Sequence, residues 1–84
     1  MTLKNDVASF IQTNLVGEDR KLTIAENTEL IEEGIIDSMG LMQIVAFLEE
    51  RAGVRVPDDE VTPDNFATVS AIDELVERLK ARRG

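Results

Sequence analysis

The sequence contains no cysteine and no histidine among its 84 residues. Without cysteine, the fold cannot depend on a disulfide or a thiolate-bound metal ion, so its stability has to come from packing. Without histidine or cysteine, the chain also lacks the usual groups that activate a serine nucleophile. An enzyme built from this chain would have to use scattered carboxylates, and the sequence shows no paired acidic cleft. We therefore expect a protein that is not itself an enzyme.

Positive charge is also scarce, because 9 lysines and arginines stand against 17 aspartates and glutamates, giving a net charge of -8. A surface of this sign does not suit nucleic acid or an anionic membrane. It favours partners with basic patches, although acidic charge also simply keeps small proteins soluble. No apolar run is long enough to span a membrane, and the N-terminus lacks the layout of a signal peptide. We expect a cytoplasmic monomer.

Hydrophobic residues make up 43% of the chain, which suffices for one small domain that we expect to cover residues 1–84. Apolar residues recur at helical spacing, and no stretch alternates convincingly as a strand does. The pattern predicts an all-α fold. Its architecture is expected to be a four-helix bundle, with three long helices, one short helix and a long loop between the first two.

Cap residues set the expected boundaries of the helices. The first helix is expected to start at the N-cap Thr2 and to stop at Gly17, and the second to begin at Asp37 or Ser38. The remaining boundary residues are Ala52 and Gly53 at the end of the second helix, Thr62-Pro63 at the start of the short third helix, and Thr68 at the start of the last.

The second helix is predicted to bury one stripe and to expose the opposite one. The residues of the buried stripe are Leu41, Ile44, Val45 and Leu48. Those on the opposite side are Met39, Gln43, Ala46 and Glu50. Met42 lies at the border, where we expect it to pack under the long loop, whereas Met39 is expected to be exposed. Exposed methionine suits adaptable contact surfaces.

Ser38 lies where the irregular segment meets the second helix. Backbone amides at a helix start lack intrahelical partners and favour an anionic substituent. A phosphodiester on the Ser38 oxygen is therefore well placed electrostatically. Local physics leaves a simpler alternative open, because serine after aspartate at a helix start is ordinary capping chemistry.

The residues around Ser38 resemble those of the acyl carrier protein family, including its peptidyl and D-alanyl carriers. The resemblance runs through Glu32-Glu33-Gly34-Ile35-Ile36-Asp37-Ser38-Met39-Gly40-Leu41, then Leu48-Glu49-Glu50 and Val54-Arg55-Val56-Pro57-Asp58. It reaches the last two predicted helices, so it covers nearly the whole domain. The Asp-Ser-Met triplet alone is weak evidence, and its spacing to the two later motifs makes the pattern specific.

The resemblance implies a function and a set of sites. Ser38 would receive 4'-phosphopantetheine from coenzyme A through a phosphopantetheinyl transferase, which Asp37 would help to engage. The thiol of the arm would hold an acyl or aminoacyl group as a thioester. Other partners would be an acyl- or aminoacyl-loading ligase and a downstream acyltransferase or synthase. The residues implied for partner docking are Met39, Gln43, Ala46 and Glu50.

The chain departs from the carriers of fatty acid synthesis, which usually have an acidic residue after the Ser-Leu pair and more acids along the second helix. This chain has Gly40, Gln43 and Arg51 at such places. The departure favours D-alanyl and stand-alone peptidyl-type carriers, in a secondary-metabolite, lipid or aminoacyl-transfer pathway, although residues 62–66 are not especially D-alanyl-like. The alternative function is an unmodified acidic helical adaptor that binds a basic partner protein.

Overall fold

A computed structural model describes residues 3–16 and 24–82. Three α-helices lie in these ranges: α1 at Leu3–Ile11, α2 at Ser38–Arg51 and α3 at Val69–Arg82. A π-helical segment, Gln12–Val16, continues α1, and a short 3-10 helix, Asp58–Glu60, lies between α2 and α3. Helix α1 packs against both α2 and α3. The described part of the chain has no strand, and the predicted all-α class is confirmed.

The ends of α2 and α3 follow the predicted cap residues. Gly53, just past the end of α2, has a φ of 68°, a left-handed conformation that glycine adopts without steric cost. The hydroxyl of Thr68 accepts a hydrogen bond from the Ala71 amide at 3.0 Å, so α3 starts there. The predicted boundaries of the first helix, Thr2 and Gly17, lie outside the described residues.

The short third helix predicted from Thr62-Pro63 is not confirmed, because residues 63–66 form a single turn. The expected cap contact is present: the Asn65 amide donates to the Thr62 hydroxyl at 3.3 Å. The Phe66 amide then donates to the Pro63 carbonyl at 3.2 Å. Thr68 caps the next helix immediately afterwards, which leaves no room for a second turn.

One apolar core joins the helices to the segments between them. Its largest fully buried side chains include Phe66, Ile11, Leu30, Ile44, Leu48, Ile72 and Leu75. Two of them come from outside the α-helices, Leu30 before α2 and Phe66 from the turn before α3. These two connecting segments are therefore parts of the core.

The chain makes a sharp turn just before α2. The Leu30 carbonyl accepts from the Ile35 amide at 2.8 Å, and the Ile31 carbonyl accepts from the Gly34 amide at 3.0 Å. This pair of bonds is the Schellman pattern, and Gly34 takes its left-handed position with a φ of 72°. Leu30 and Ile35 are both buried, as the hydrophobic contact of this motif requires. The turn sets the direction in which the chain enters α2.

Hydrogen bonds attach the segment before α2 to the start of α3. The Leu30 amide donates to the Ala67 carbonyl at 2.8 Å, and the Ser70 amide donates to the Glu26 carbonyl at 3.1 Å. The Ser70 hydroxyl also donates to the Glu26 carboxylate at 3.1 Å, and Lys4 Nζ lies 3.4 Å from the same oxygen. The Ser70 hydrogen bond, followed by the hydrogen bond and charge of Lys4, lowers the pKa of Glu26 below its usual value.

The two longer helices, α2 and α3, have 14 residues each. Within residues 3–16 and 24–82, no helix is both long and apolar enough to cross a membrane.

Replacing Gly34 by alanine is expected to lower the free energy of unfolding by about 1 kcal/mol, because a side chain disfavours the left-handed conformation. The matched control is Gly40→Ala, inside α2. A Cβ there would lie 3.4 Å from Asp37 Oδ1, an ordinary contact, so this variant should be unchanged or up to about 1 kcal/mol more stable. Urea unfolding followed by circular dichroism measures both. A Gly34→Ala protein as stable as the wild type would contradict the role given to this turn.

Candidate functional site

Asp37 fixes the first residue of α2. Its backbone is extended, with φ -115° and ψ -167°, and its Oδ1 accepts the Gly40 amide at 2.8 Å. Its carbonyl accepts the Leu41 amide at 2.8 Å, which is the first α-helical hydrogen bond of α2. The predicted boundary at Asp37 or Ser38 is therefore confirmed, and it places Ser38 in the first turn.

Ser38 is exposed at the first helical position of α2. The amides of Ser38 and Met39 have no intrahelical acceptor at this position, while the Gly40 amide is already bound by Asp37. The positive end of the helix dipole lies at the same place. An anionic group on the Ser38 oxygen would thus lie close to the amides of Ser38 and Met39, which lack an intrahelical acceptor, and would remain open to solvent.

A cleft of about 330 Å³ opens beside Ser38. Its lining residues are Ile31, Ile36, Asp37, Ser38, Leu41, Val61, Thr62 and Pro63. Leu41 was predicted to lie in the buried stripe, and its half-burial reflects its position on the wall of this cleft. The other three members of that stripe are buried as predicted. A mostly apolar recess therefore adjoins the serine hydroxyl.

Gly40 is buried directly beneath the cap. A Cβ at this position would lie 3.5 Å from both Ile36 Cβ and Leu15 Cδ1, besides its contact with the Asp37 carboxylate. A methyl group fits there, but a longer acidic side chain would have to displace the apolar neighbours or approach the carboxylate.

All the sequence-predicted site residues on α2 are accessible. Asp37 and Ser38 are exposed, and so are the four predicted docking residues Met39, Gln43, Ala46 and Glu50. The prediction for Met42 is wrong: its side chain is 57% exposed instead of packed under the preceding segment. Its burial was expected because it borders the stripe, but the border of α2 here faces solvent.

Two features of this site were missed from the sequence. The first is Met42, whose spacing of four residues from Ser38 could have placed both on one side of the helix. The second is the cleft, because Ile31, Leu41 and Val61 come from three distant parts of the chain. No local pattern joins such residues, so only the folded chain reveals the recess.

Residues 12–79 match a family model described as a phosphopantetheine attachment site. The chain is 34% identical over 79 residues to the probable acyl carrier protein PigG of Serratia sp. (strain ATCC 39006), covering 94% of this chain and 90% of that one. The chain belongs to the acyl carrier protein family. Members of this family are modified covalently with 4'-phosphopantetheine and are generally non-catalytic.

Further relatives of the carrier include a D-alanyl carrier and a second acyl carrier. It is 39% identical over 80 residues to the D-alanyl carrier protein of Listeria monocytogenes serotype 4a, covering 95% of this chain and 100% of that one. It is 30% identical over 79 residues to the acyl carrier protein AsbD of Bacillus anthracis, covering 93% of this chain and 85% of that one. The similarity therefore extends to both acyl and D-alanyl carriers.

A solved structure also resembles the carrier. The match is to a chain in a crystal structure described as that of an FAD-dependent dehydrogenase, with a TM-score of 0.76 and 31% sequence identity. It covers 84% of the carrier and 99% of that chain. The resemblance at this identity supports both the fold and the family relationship.

The residues around Ser38 fit the group that the family attaches. The hydroxyl is exposed, the nearest carboxylate has one oxygen bound to a backbone amide, and an apolar cleft lies alongside. A phosphodiester at the helix start and a largely apolar arm beyond it suit these two environments. The surroundings of Ser38 are thus compatible with an attached 4'-phosphopantetheine.

Replacing Asp37 by alanine is expected to lower the free energy of unfolding by about 1 kcal/mol, because the Gly40 amide loses its acceptor. Asp37→Asn is the matched control, since its amide oxygen can accept the same bond and only the smaller charge–dipole contribution is lost. Thermal and urea unfolding of both variants measure the difference. Equal destabilisation of the two would show that charge, and not the cap hydrogen bond, determines the start of α2.

Proposed function

We propose that Ser38 is the residue modified by 4'-phosphopantetheine and that the protein holds acyl or aminoacyl intermediates as thioesters on that arm. The observation that supports this most directly is an exposed serine hydroxyl at the first position of α2, inside the matched attachment domain. The chain has two other serines. Ser9 lies within α1, and Ser70 is half-buried with its hydroxyl bonded to Glu26.

In this proposal, Asp37 keeps Ser38 accessible and contacts the transferase, and the attached arm supplies the thiol. Asp37 holds the first turn in place through its bond to the Gly40 amide, so the Ser38 hydroxyl stays at the surface. The other Asp37 oxygen remains able to accept, and we assign it to contact with the transferase. When bound, the arm supplies a thiol to a chain that has no cysteine. Tethering then lets one cargo visit several active sites at high effective concentration.

The proposed role includes no catalysis by the carrier itself. Its partners are a phosphopantetheinyl transferase, an acyl- or aminoacyl-loading ligase and a downstream acyltransferase or synthase, all in the cytoplasm. The exposed face of α2 is proposed to dock them. The similarity to acyl and D-alanyl carriers supports this set of enzyme classes, in a secondary-metabolite, lipid or aminoacyl-transfer pathway.

The Ser38→Ala variant is expected to fold like the wild type but to take up no phosphopantetheine, because the only reacting oxygen is removed. Ser9→Ala is the control, since it deletes another exposed serine hydroxyl outside the site. Intact mass spectrometry after incubation with coenzyme A and a broad-specificity transferase measures the modification. A modified Ser38→Ala protein, or an unmodified wild type with several active transferases, contradicts the proposal.

The same variants separate the carrier from an unmodified acidic adaptor. An adaptor would bind a basic partner in a salt-sensitive manner that survives Ser38→Ala. A carrier would lose its function with that single oxygen.

An FAD-dependent dehydrogenase is a further candidate partner, supported by the similar chain in the crystal structure described above. Such an enzyme would remove a hydride from one carbon of a saturated cargo and a proton from the adjacent carbon. The hydride would reduce FAD, the proton would pass to a base of the dehydrogenase, and a carbon–carbon double bond would form.

Mixing that dehydrogenase without oxygen with carriers bearing a panel of saturated acyl and aminoacyl groups is expected to bleach the oxidised flavin for at least one cargo. The mass of that cargo should fall by two hydrogens. The Ser38→Ala protein is the control and should leave the flavin oxidised. An unchanged flavin with every loaded carrier would contradict this pairing.

A further inference from the structure

Residues 57–65, which we call the strap, form part of the wall of the cleft beside Ser38. Three of them line the cleft, namely Val61, Thr62 and Pro63. The strap runs between two buried side chains, Val56 and Phe66. None of its own side chains is buried, and Val61 contributes only a partly buried contact to the core. Apolar packing therefore fixes the two ends of the strap more firmly than its middle.

Polar contacts attach the middle of the strap to α3. Glu60 Oε2 accepts a hydrogen bond from Arg82 Nη1 at 3.1 Å, and Glu60 Oε1 lies 3.6 Å from Arg78 Nη2. Asn65 belongs to the same cluster, because its Nδ2 donates to Glu60 Oε1 at 3.0 Å and its Oδ1 accepts from Arg78 Nη2 at 3.1 Å. We call these four side chains the Glu60 latch, and they join two parts of the strap to the last turns of α3.

The other hydrogen bonds of the strap are local. The Val61 amide donates to the Asp58 carbonyl at 3.1 Å, and the Thr62 amide donates to the Glu60 carbonyl at 3.0 Å. Among the described residues, the latch supplies every hydrogen bond between the strap and any of the α-helices. The middle of the strap is therefore held by a few charged contacts and one partly buried valine.

The burial of Glu60 couples loss of the latch to movement of the strap. The Glu60 side chain is only 18% exposed, whereas those of Arg78 and Arg82 are 50% and 63% exposed. A carboxylate that is sheltered from water is costly to leave without donors. If the arginines leave Glu60, its carboxylate regains full hydration only when the strap moves away from α3. Loss of the latch therefore favours displacement of the strap.

We propose that the strap is a movable wall of the cleft and that the Glu60 latch holds it in the closed position. The closed cleft has a volume of about 330 Å³. When the latch is released, the strap moves outward between its fixed ends, and both Val61 and the opposite wall at Leu41 become more exposed. A group tethered to Ser38 would then have more room beside its attachment point. That consequence rests on the proposed function, whereas the latch itself does not.

Substitutions at two adjacent carboxylates test the latch. Glu60→Ala removes the acceptor for both arginines, and Glu60→Gln keeps an acceptor oxygen but removes the charge. Asp59→Ala and Asp59→Asn are the matched controls, because Asp59 lies in the same short helix, is exposed and makes no hydrogen bond or ion pair with the described residues. Each control changes the net charge by the same amount as its Glu60 counterpart. Circular dichroism should show a helical fold for all four variants.

The chain has no cysteine, so a single introduced thiol reports on its own position. Val61→Cys places the thiol on the strap, Leu41→Cys places it on the opposite wall, and Val76→Cys places it in the core, where the valine is fully buried. The rate of alkylation by iodoacetamide, followed by intact mass on the unmodified protein, measures the accessibility of each thiol. Val76→Cys should react far more slowly than the other two, because its thiol is reached only when the whole fold opens.

Glu60→Ala is expected to speed alkylation of both Val61→Cys and Leu41→Cys roughly tenfold, and Glu60→Gln roughly threefold, because charge-assisted hydrogen bonds are lost or weakened. The two Asp59 variants should leave these rates unchanged. Equal effects at Asp59 and Glu60 would overturn the latch.

Two other results would overturn the movable wall. One is an accelerated Val61→Cys with an unchanged Leu41→Cys, and the other is a Val61→Cys thiol that reacts as slowly as Val76→Cys while Glu60 is intact. A wild-type chain that is never loaded with phosphopantetheine would overturn the proposed function alone, because the alkylation rates are measured on the unmodified protein.

Discussion

The hydrogen bond from the Gly40 amide to Asp37 Oδ1 is the contact on which the presentation of the site depends. It ends the extended segment and starts α2, so the next residue, Ser38, takes the first helical position with an exposed side chain. The amides of Ser38 and Met39, at the start of the helix, have no intrahelical acceptor. Gly40 itself is buried, and a Cβ at this position would lie 3.5 Å from Ile36 Cβ and from Leu15 Cδ1.

The segment before α2 helps to fix the position of this cap. The Schellman turn at Gly34 directs the chain into α2, and the buried Leu30 anchors it in the core. The Leu30 amide is also bonded to the Ala67 carbonyl, next to the start of α3. The surroundings of Ser38 are thus supported by α2, by the turn that precedes it and by the start of α3, while the Ser38 hydroxyl faces solvent. This combination suits a protein whose role is to present a tethered group to several enzymes.

Local signals in the sequence predicted much of this structure. Asp37, Gly53 and Thr68 act as the expected boundary residues, because caps depend on neighbours within a few positions. The prediction of a short helix after Thr62 was not confirmed, because local propensity does not show that the cap at Thr68 starts the next helix so soon afterwards. The exposure of Met42 and the cleft beside Ser38 were also missed. Both depend on how distant segments leave space around α2, which periodicity within one helix does not encode.

The central claim is that Ser38 bears the phosphopantetheine arm and its cargo. The most direct test is tandem mass spectrometry of peptides from the protein isolated from its native cell. The account predicts one phosphopantetheine, which the fragment ions of the peptide assign to Ser38. In part of the population, the thiol of that phosphopantetheine should bear an acyl or aminoacyl group. Phosphopantetheine on another residue, or a chain that is unmodified throughout, would contradict it.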